Sequence, residues 1–91
     1  MTNETALWAS NEIQKIAASL VDVLGQTVID DVLELVSYSE PGIALDLLCD
    51  RISESEVSLS PDLRARIVAT GSAMGLDSTV SFLVDPDETR P

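Results

Sequence analysis

The side chains most able to do chemistry in this sequence are carboxylates that recur every four residues. Asp46, Asp50 and Glu54 follow this spacing, which in a helix keeps side chains near one another on one side. Carboxylates can serve as acid–base groups, and a row of one sign can steer a basic partner into contact. Catalysis that needs an imidazole base is excluded, because the chain has no histidine. We therefore expect a binding protein, not an enzyme.

The charge balance of the whole chain strengthens this expectation. Its 91 residues include 16 Asp and Glu against 5 Lys and Arg, a formal net charge of −11. A charge run is ordinarily a solvated face, but here Arg51 is the only base near the row and cannot neutralise it. A single-sign patch costs stability through self-repulsion, and its usual benefit is fast docking onto a basic partner. The same charge repels polyphosphates, so direct nucleic-acid binding through a basic surface is excluded.

Other reactive groups predict little chemistry. Cys49 is the only cysteine, so no internal disulfide can form, and the neighbouring Asp50 would raise the pKa of its thiol. We expect Cys49 to be a small buried filler. Residues 85–88 are acidic but lack the alternating oxygen ligands and central glycine of a calcium loop. With one cysteine and no histidine there is no zinc-binding spacing, so no metal or cofactor is expected.

The segment from Gly75 to Ser78 looks like the serine site of an acyl carrier protein, where a phosphopantetheine arm is attached. Only thirteen residues follow Ser78, too few for the two further helices that such a bundle needs. A helix cap followed by a turn is the favoured interpretation of this segment.

Helical periodicity divides the chain into segments that would carry these side chains. They span residues 4–24, 27–38, 41–54 and 61–74, each with apolar residues every three or four positions. The second segment is rich in β-branched residues, which makes a strand the competing prediction, but its apolar residues do not alternate. We expect an all-α compact bundle of about four helices in one domain, residues 1–84, followed by a frayed acidic, proline-containing tail, residues 85–91.

Capping residues mark where these helices begin and end. Gly25 and Gly75 stand where C-terminal caps are expected. Thr27 is a plausible N-cap, and Ser60, which precedes a proline and an acidic residue, is a strong one. Gly71 flanks the apolar stripe of the last long segment, so a neighbouring helix could approach closely there.

The sequence gives fewer indications of cellular location and oligomeric state than of the fold. The N-terminus lacks a basic stretch followed by a long apolar run, so neither a signal peptide nor a membrane span is expected. These features favour a protein of the reducing cytoplasm. Val57 and Leu59 either form a dimer or partner contact or pack beneath their loop. The oligomeric state stays open, with a monomer favoured.

The middle of the chain is similar to a known family. Residues 38–54 read YSEPGIALDLLCDRISE, residues 57–60 read VSLS, and the next helix closes with AMGL at residues 73–76. This stretch, about 40 of the 91 residues, resembles the MafI family of bacterial immunity proteins. Those are small acidic proteins, encoded beside polymorphic secreted toxins, that bind the toxin's C-terminal effector domain.

The resemblance implies a stoichiometric, non-catalytic inhibitor whose partner is a cognate toxin domain, without specifying the toxin. The acidic charge of the chain favours a basic, nuclease-like target. Its carboxylates would occupy the positions of substrate phosphates. The residues expected at the interface are Glu34, Tyr38, Glu40, Asp46, Asp50, Glu54 and Glu56. Asp50 could instead be structural, bonding a backbone N–H or Arg51. The alternative function is an acidic adaptor or DNA mimic that binds a host DNA-binding or transcription protein, and composition does not separate the two.

Overall fold

Six helices and a terminal 3₁₀ turn make up the computed structural model, which describes residues 2–84. The helices are α1 (Asn3–Ser19), α2 (Val21–Leu24), α3 (Gln26–Ser37), α4 (Pro41–Ser55), α5 (Pro61–Ala73) and α6 (Asp77–Val80); the turn spans Ser81–Leu83. No strand forms within the described residues, so the prediction of an all-α bundle is confirmed. The predicted tail, residues 85–91, lies outside them.

The first predicted segment is two helices instead of one. Leu20 leaves helical geometry at φ −109° and ψ 3°, and its N–H donates to Ala17 O at 3.0 Å, a contact of 3₁₀ type. At the preceding residue, the Ser19 hydroxyl donates to Lys15 O at 3.1 Å, an arrangement that bends helices. The bend keeps Leu20 buried while the short α2 turns toward α3.

Gly25 joins α2 to α3 without a loop. It has φ +92°, where a side chain would strain the backbone, and it serves as both C-cap of α2 and N-cap of α3. Its position as a C-terminal cap is confirmed. The prediction that Thr27 is the N-cap is wrong, because this single-residue junction starts the helix at Gln26 and leaves Thr27 inside the first turn.

Helix α5 begins and ends as the sequence predicts. The Ser60 side chain accepts a hydrogen bond from Leu63 N at 3.2 Å, and Pro61 occupies the first helical position. At the other end Gly75 has φ +72°, and Leu76 N donates to Gly71 O at 2.8 Å. These contacts form a Schellman motif, which satisfies carbonyl groups at the helix end.

The core is built from aliphatic side chains of every long helix. Its members are Ile13, Ile16, Ala17, Leu20, Ile29, Val32, Val36, Ala44, Leu45, Leu48, Cys49, Ile52, Leu59, Ile67 and Val80. Leu59 is buried beneath its loop, as the packing alternative expects, whereas Val57 is only half-buried and both alternatives stay open for it. None of the three aromatic residues belongs to this core: Trp8, Tyr38 and Phe82 are 43%, 67% and 45% exposed.

An ion pair fastens the first long helix to the last. Arg66 on α5 donates from Nη2 to both carboxylate oxygens of Glu12 on α1, at 3.3 and 3.2 Å. Lys15 approaches the same carboxylate at 3.8 Å. Two of the four basic residues among residues 2–84 are thus engaged at Glu12, Arg66 from α5 and Lys15 from within α1, away from the acidic row on α4.

Candidate partner-binding surface

The three carboxylates spaced along α4 are all exposed, but they do not form a straight row. A step of four residues advances about 40° around a helix, so Glu54 lies about 80° from Asp46. Glu54 also has its own counter-ion, since Arg51 Nη1 donates to Glu54 Oε2 at 2.9 Å. Asp46 and Asp50 line a common depression, whereas Glu54 does not line it and pairs with Arg51.

A seam between α4 and the segment formed by α6 and the 3₁₀ turn collects other members of the predicted set. Three depressions adjoin along it: the first and second share Asp46 and Thr79, and the second and third share Ser53 and Phe82. We call this groove the α4–α6 seam. Its charged or large exposed members are Glu40, Ile43, Asp46, Asp50, Glu56, Arg64 and Phe82.

Charge along the α4–α6 seam is mostly negative. Glu40 and Asp46 line the first depression, Asp46 and Asp50 the second, and Glu56 the third. Of the basic residues between positions 2 and 84, Arg64 alone lines it, at the Glu56 end. Four carboxylates against one guanidinium give the groove a negative potential, which attracts cationic side chains and repels phosphate.

Glu34 and Tyr38 lie elsewhere in the described structure. Both are exposed at the C-terminal end of α3, where the Tyr38 hydroxyl donates to Glu34 Oε1 at 3.4 Å. They do not line the α4–α6 seam. The predicted set therefore divides into four seam residues, one residue paired with Arg51, and this separate pair on α3.

Asp50 and Glu56 each line a depression that Phe82 also lines. Asp50 is exposed beside Phe82, and the Arg51 side chain pairs with Glu54 instead of with Asp50. Within residues 2–84 the Asp50 carboxylate accepts no hydrogen bond, which leaves it available to a partner. Glu56 ends α4 in the left-handed region at φ +53°, which carries its side chain out of the helical row and into the third depression.

Phe82 and Ile43 are the seam residues that sequence analysis missed. Phe82 follows α6 in a 3₁₀ turn, too short for hydrophobic periodicity to assign its orientation. Ile43 is 54% exposed on α4 and lies off the stripe that faces the core. The signals in the sequence were an apolar patch in the last segment, formed by Val80, Phe82, Leu83 and Val84, and the scarcity of aromatic residues, which are frequent anchors of protein interfaces.

The thiol and the serine that sequence analysis considered are both placed by the structure. Cys49 is buried, as predicted; burial and the nearby Asp46 carboxylate raise the pKa of its thiol to about 12. The expectation that Asp50 would act on this thiol is wrong, since Asp46 is the carboxylate that does. Ser78 lies in the exposed first turn of α6, and the adjacent Asp77 accepts a hydrogen bond from the Ser72 hydroxyl at 2.8 Å.

Comparisons with known proteins provide no relative whose binding surface could be compared with this one. No family model matches the chain, and searches of curated proteins and of solved structures find no match. Among the described residues, no group of three or more His, Cys, Asp or Glu side chains is arranged to hold a metal ion. None of the helices between residues 2 and 84 combines the length and apolar content needed to span a bilayer.

Proposed function

We propose that this protein is an immunity protein of the kind found in the MafI family, which neutralises a secreted toxin domain encoded beside it. It would act in the cytoplasm as a stoichiometric inhibitor that covers the toxin's active surface. The target expected from the charge is a basic domain, with a nuclease as the first candidate.

The observation that supports this proposal is the run of carboxylates along the α4–α6 seam. Glu40, Asp46, Asp50 and Glu56 line one groove, and among residues 2–84 Arg64, at the Glu56 end, is the basic residue that lines it with them. A groove with this excess of negative charge increases the rate of encounter with a partner of opposite charge. A stable complex buries about 800 Å² on each partner, an area that would extend beyond the seam onto neighbouring exposed surface.

The proposed mechanism is occlusion. A nuclease binds the phosphates of its substrate with Lys and Arg side chains. Carboxylates held on the rigid helix α4 would engage those same side chains, so the toxin would lose both its substrate site and its attraction for nucleic acid. No group on the inhibitor needs to react in this mechanism, because binding alone blocks the toxin.

The test is co-purification with the product of the adjacent toxin gene, at low and at high salt. Stoichiometric capture that weakens with salt, together with loss of toxin activity in the complex, would support immunity through charge. A matched control is the same capture with a toxin domain from an unrelated locus, which should not bind. Capture of a host DNA-binding or transcription protein, with no toxin bound, would replace the proposal with the adaptor function.

A further inference from the structure

Two large apolar side chains stand exposed among the carboxylates of the α4–α6 seam. Phe82 lines both the second and the third depression and is 45% exposed; Ile43 lines the first and is 54% exposed. The third depression adds apolar surface next to Phe82, since Ile52, Leu59 and Leu83 line it as well. The seam therefore combines apolar surface around Phe82 with carboxylates along its length.

The backbone around Phe82 holds its ring at the rim of this groove. Val80 anchors α6 in the core, and the 3₁₀ turn is closed by Val84 N donating to Ser81 O at 3.1 Å. The Ser81 hydroxyl adds a bond to Ser78 O at 2.9 Å. A backbone fixed in this way needs no further ordering when a partner covers the ring, which favours binding.

We propose that the α4–α6 seam docks a basic segment of the partner that carries one large apolar side chain between cationic residues. The apolar side chain packs on Phe82, and the cationic residues on either side meet Asp46 and Asp50 at one end and Glu56 at the other. This inference rests on the proposed function and adds to it the chemistry of the segment recognised.

Charge complementarity selects this occupant. The second depression places Asp46 and Asp50 beside Phe82, with no basic residue among its lining. The third places Glu56 beside the same ring together with Arg64, so the stronger attraction for a cation lies on the Asp46 and Asp50 side. An acidic segment would repel these carboxylates, and a purely apolar segment would remove them from water without a partner. Both effects lower the binding affinity. A purely cationic segment would leave the Phe82 ring exposed to water. Only a segment with both features satisfies the groove.

The experiment is an NMR titration of the ¹⁵N-labelled full chain with two synthetic peptides. One is a lysine-rich peptide with a single central leucine, and the other carries glycine at that position. The leucine peptide should shift amides of α4, α6 and the 3₁₀ turn and bind about tenfold more tightly than the glycine peptide. Equal affinity of the two peptides, or shifts spread over the whole acidic surface, would overturn the proposal.

Two variants locate the apolar contact. F82A should abolish the preference for the leucine peptide, while the weaker, salt-dependent binding that both peptides share remains. W8A is the matched control, because Trp8 is exposed to nearly the same degree but lies on α1 and does not line the seam. Loss of the preference in W8A and not in F82A would move the contact to α1 and refute the assignment.

Other occupants give distinguishable results in the same samples. Contacts between the Phe82 ring and residues 85–91 in the free protein would assign the groove to the chain's own end. Seam shifts that grow with protein concentration alone would assign it to a second copy of the chain. Either result overturns the proposal. If the leucine peptide maps to the seam but the toxin domain is not captured, the proposed function fails and the docking chemistry stands.

Discussion

Val80 packs directly against the backbone of Gly71, so that a methyl group added at position 71 would lie 2.5 Å from Val80 Cγ1. Leu45 Cδ2 would be 3.4 Å from the same methyl group. Helix α6 therefore approaches α5 as closely as the absence of a side chain permits. This contact confirms the prediction of a close approach at Gly71, and it anchors the segment that carries Phe82.

The variant G71A should be destabilised for this reason. Overpacking a well-filled site costs about 1–3 kcal/mol, which exceeds the gain of up to about 1 kcal/mol that alanine brings to a helix. Urea unfolding followed by circular dichroism measures the difference. In G71A combined with V80A, the loss should be smaller than the sum of the two single losses, because the clash is removed.

Gly42 offers the matched control for G71A. It also lies in a helix, but a methyl group there would meet only Leu76 Cδ1 at 3.6 Å, an ordinary contact. The variant G42A should therefore be as stable as the wild type or slightly more stable. Equal stability of G71A and G42A would contradict the close packing of α6 on α5.

Ser39 is strained where α3 ends, and glycine should relieve the strain. Its φ is +60°, and Glu40 N donates to Leu35 O at 3.0 Å in the pattern of a Schellman motif. Glycine adopts this conformation without steric cost, so S39G should raise the free energy of unfolding by about 0.5–1 kcal/mol.

The same substitution two residues earlier is the control for S39G. Ser37 is helical, and its hydroxyl donates to Glu34 O, so S37G should lower the free energy of unfolding. Thermal unfolding of the two variants side by side should show opposite changes. A loss of stability in S39G would mean that the left-handed residue lies elsewhere.

The buried thiol makes stability fall in alkaline solution. The pKa of Cys49 is about 12 in the folded protein against 9.0 as its ordinary value. Between these values the unfolded chain loses its thiol proton and the folded chain keeps it, so the contribution to stability is present below pH 9 and is lost as the pH rises toward 12. C49A should lack this part of the loss, which urea titrations at pH 8 and pH 10 would measure.

Reactivity of the same thiol provides an independent check. At pH 8 its thiolate fraction in the folded protein is about a thousandfold below that of an unfolded chain, and the side chain is buried. Alkylation by iodoacetamide should therefore be very slow in buffer and fast in denaturing urea. Rapid alkylation without urea would show that Cys49 is exposed in the native protein.

Reversing charge on the seam should weaken partner binding more than reversing it elsewhere. D46K combined with D50K changes the net charge from −11 to −7, and so does D22K combined with D31K on α2 and α3. We expect the seam variant to lose at least about tenfold in affinity for the toxin domain, or about 1.4 kcal/mol, and the control to lose much less. Equal losses would mean that only overall charge matters.

A second pair of reversals compares the two parts of the predicted surface. D46K combined with E54K tests the two ends of the acidic row that the sequence predicts. In the structure Glu54 already forms an ion pair with Arg51. The structure therefore predicts that E54K adds little to D46K. A large added loss would place Glu54 in the interface and extend it around α4. Calorimetric titration measures each contribution, with circular dichroism confirming that helix content is unchanged.

Local signals explain what could be predicted from the sequence. Ser60 and Gly75 have capping roles that depend on a hydrogen bond or a φ value within a few residues, so sequence alone indicates them. The bend at Leu20 arises instead because that side chain must reach a core shared with other helices, and periodicity continues straight through it. Thr27 has a side chain suited to an N-cap, but Gly25 occupies the N-cap position of α3 and places Thr27 inside the helix.

The candidate surface was predictable only in part for the same reason. Asp46 and Asp50 share a helix, so their spacing placed them correctly beside each other. Glu40 and Glu56 cap the two ends of α4, so the sequence could place them near the row as well. The groove that joins these carboxylates forms because α6 folds back along α4, a tertiary relationship that no local pattern encodes. Phe82 enters the groove only through this fold-back, since Asp50, Ser53 and Glu56, which line it with Phe82, are far from it in sequence.

Because the core is aliphatic and every aromatic ring lies outside it, the fluorescence of this protein depends on side chains at the surface. Trp8, Tyr38 and Phe82 are the chain's aromatic chromophores, and water already reaches all three. Unfolding by urea should change tryptophan emission little, although the helical signal disappears. A ligand that covers α1, by contrast, would shift the emission of Trp8 toward the blue. The intrinsic fluorescence of this protein therefore reports binding at α1 and not the unfolding of the core.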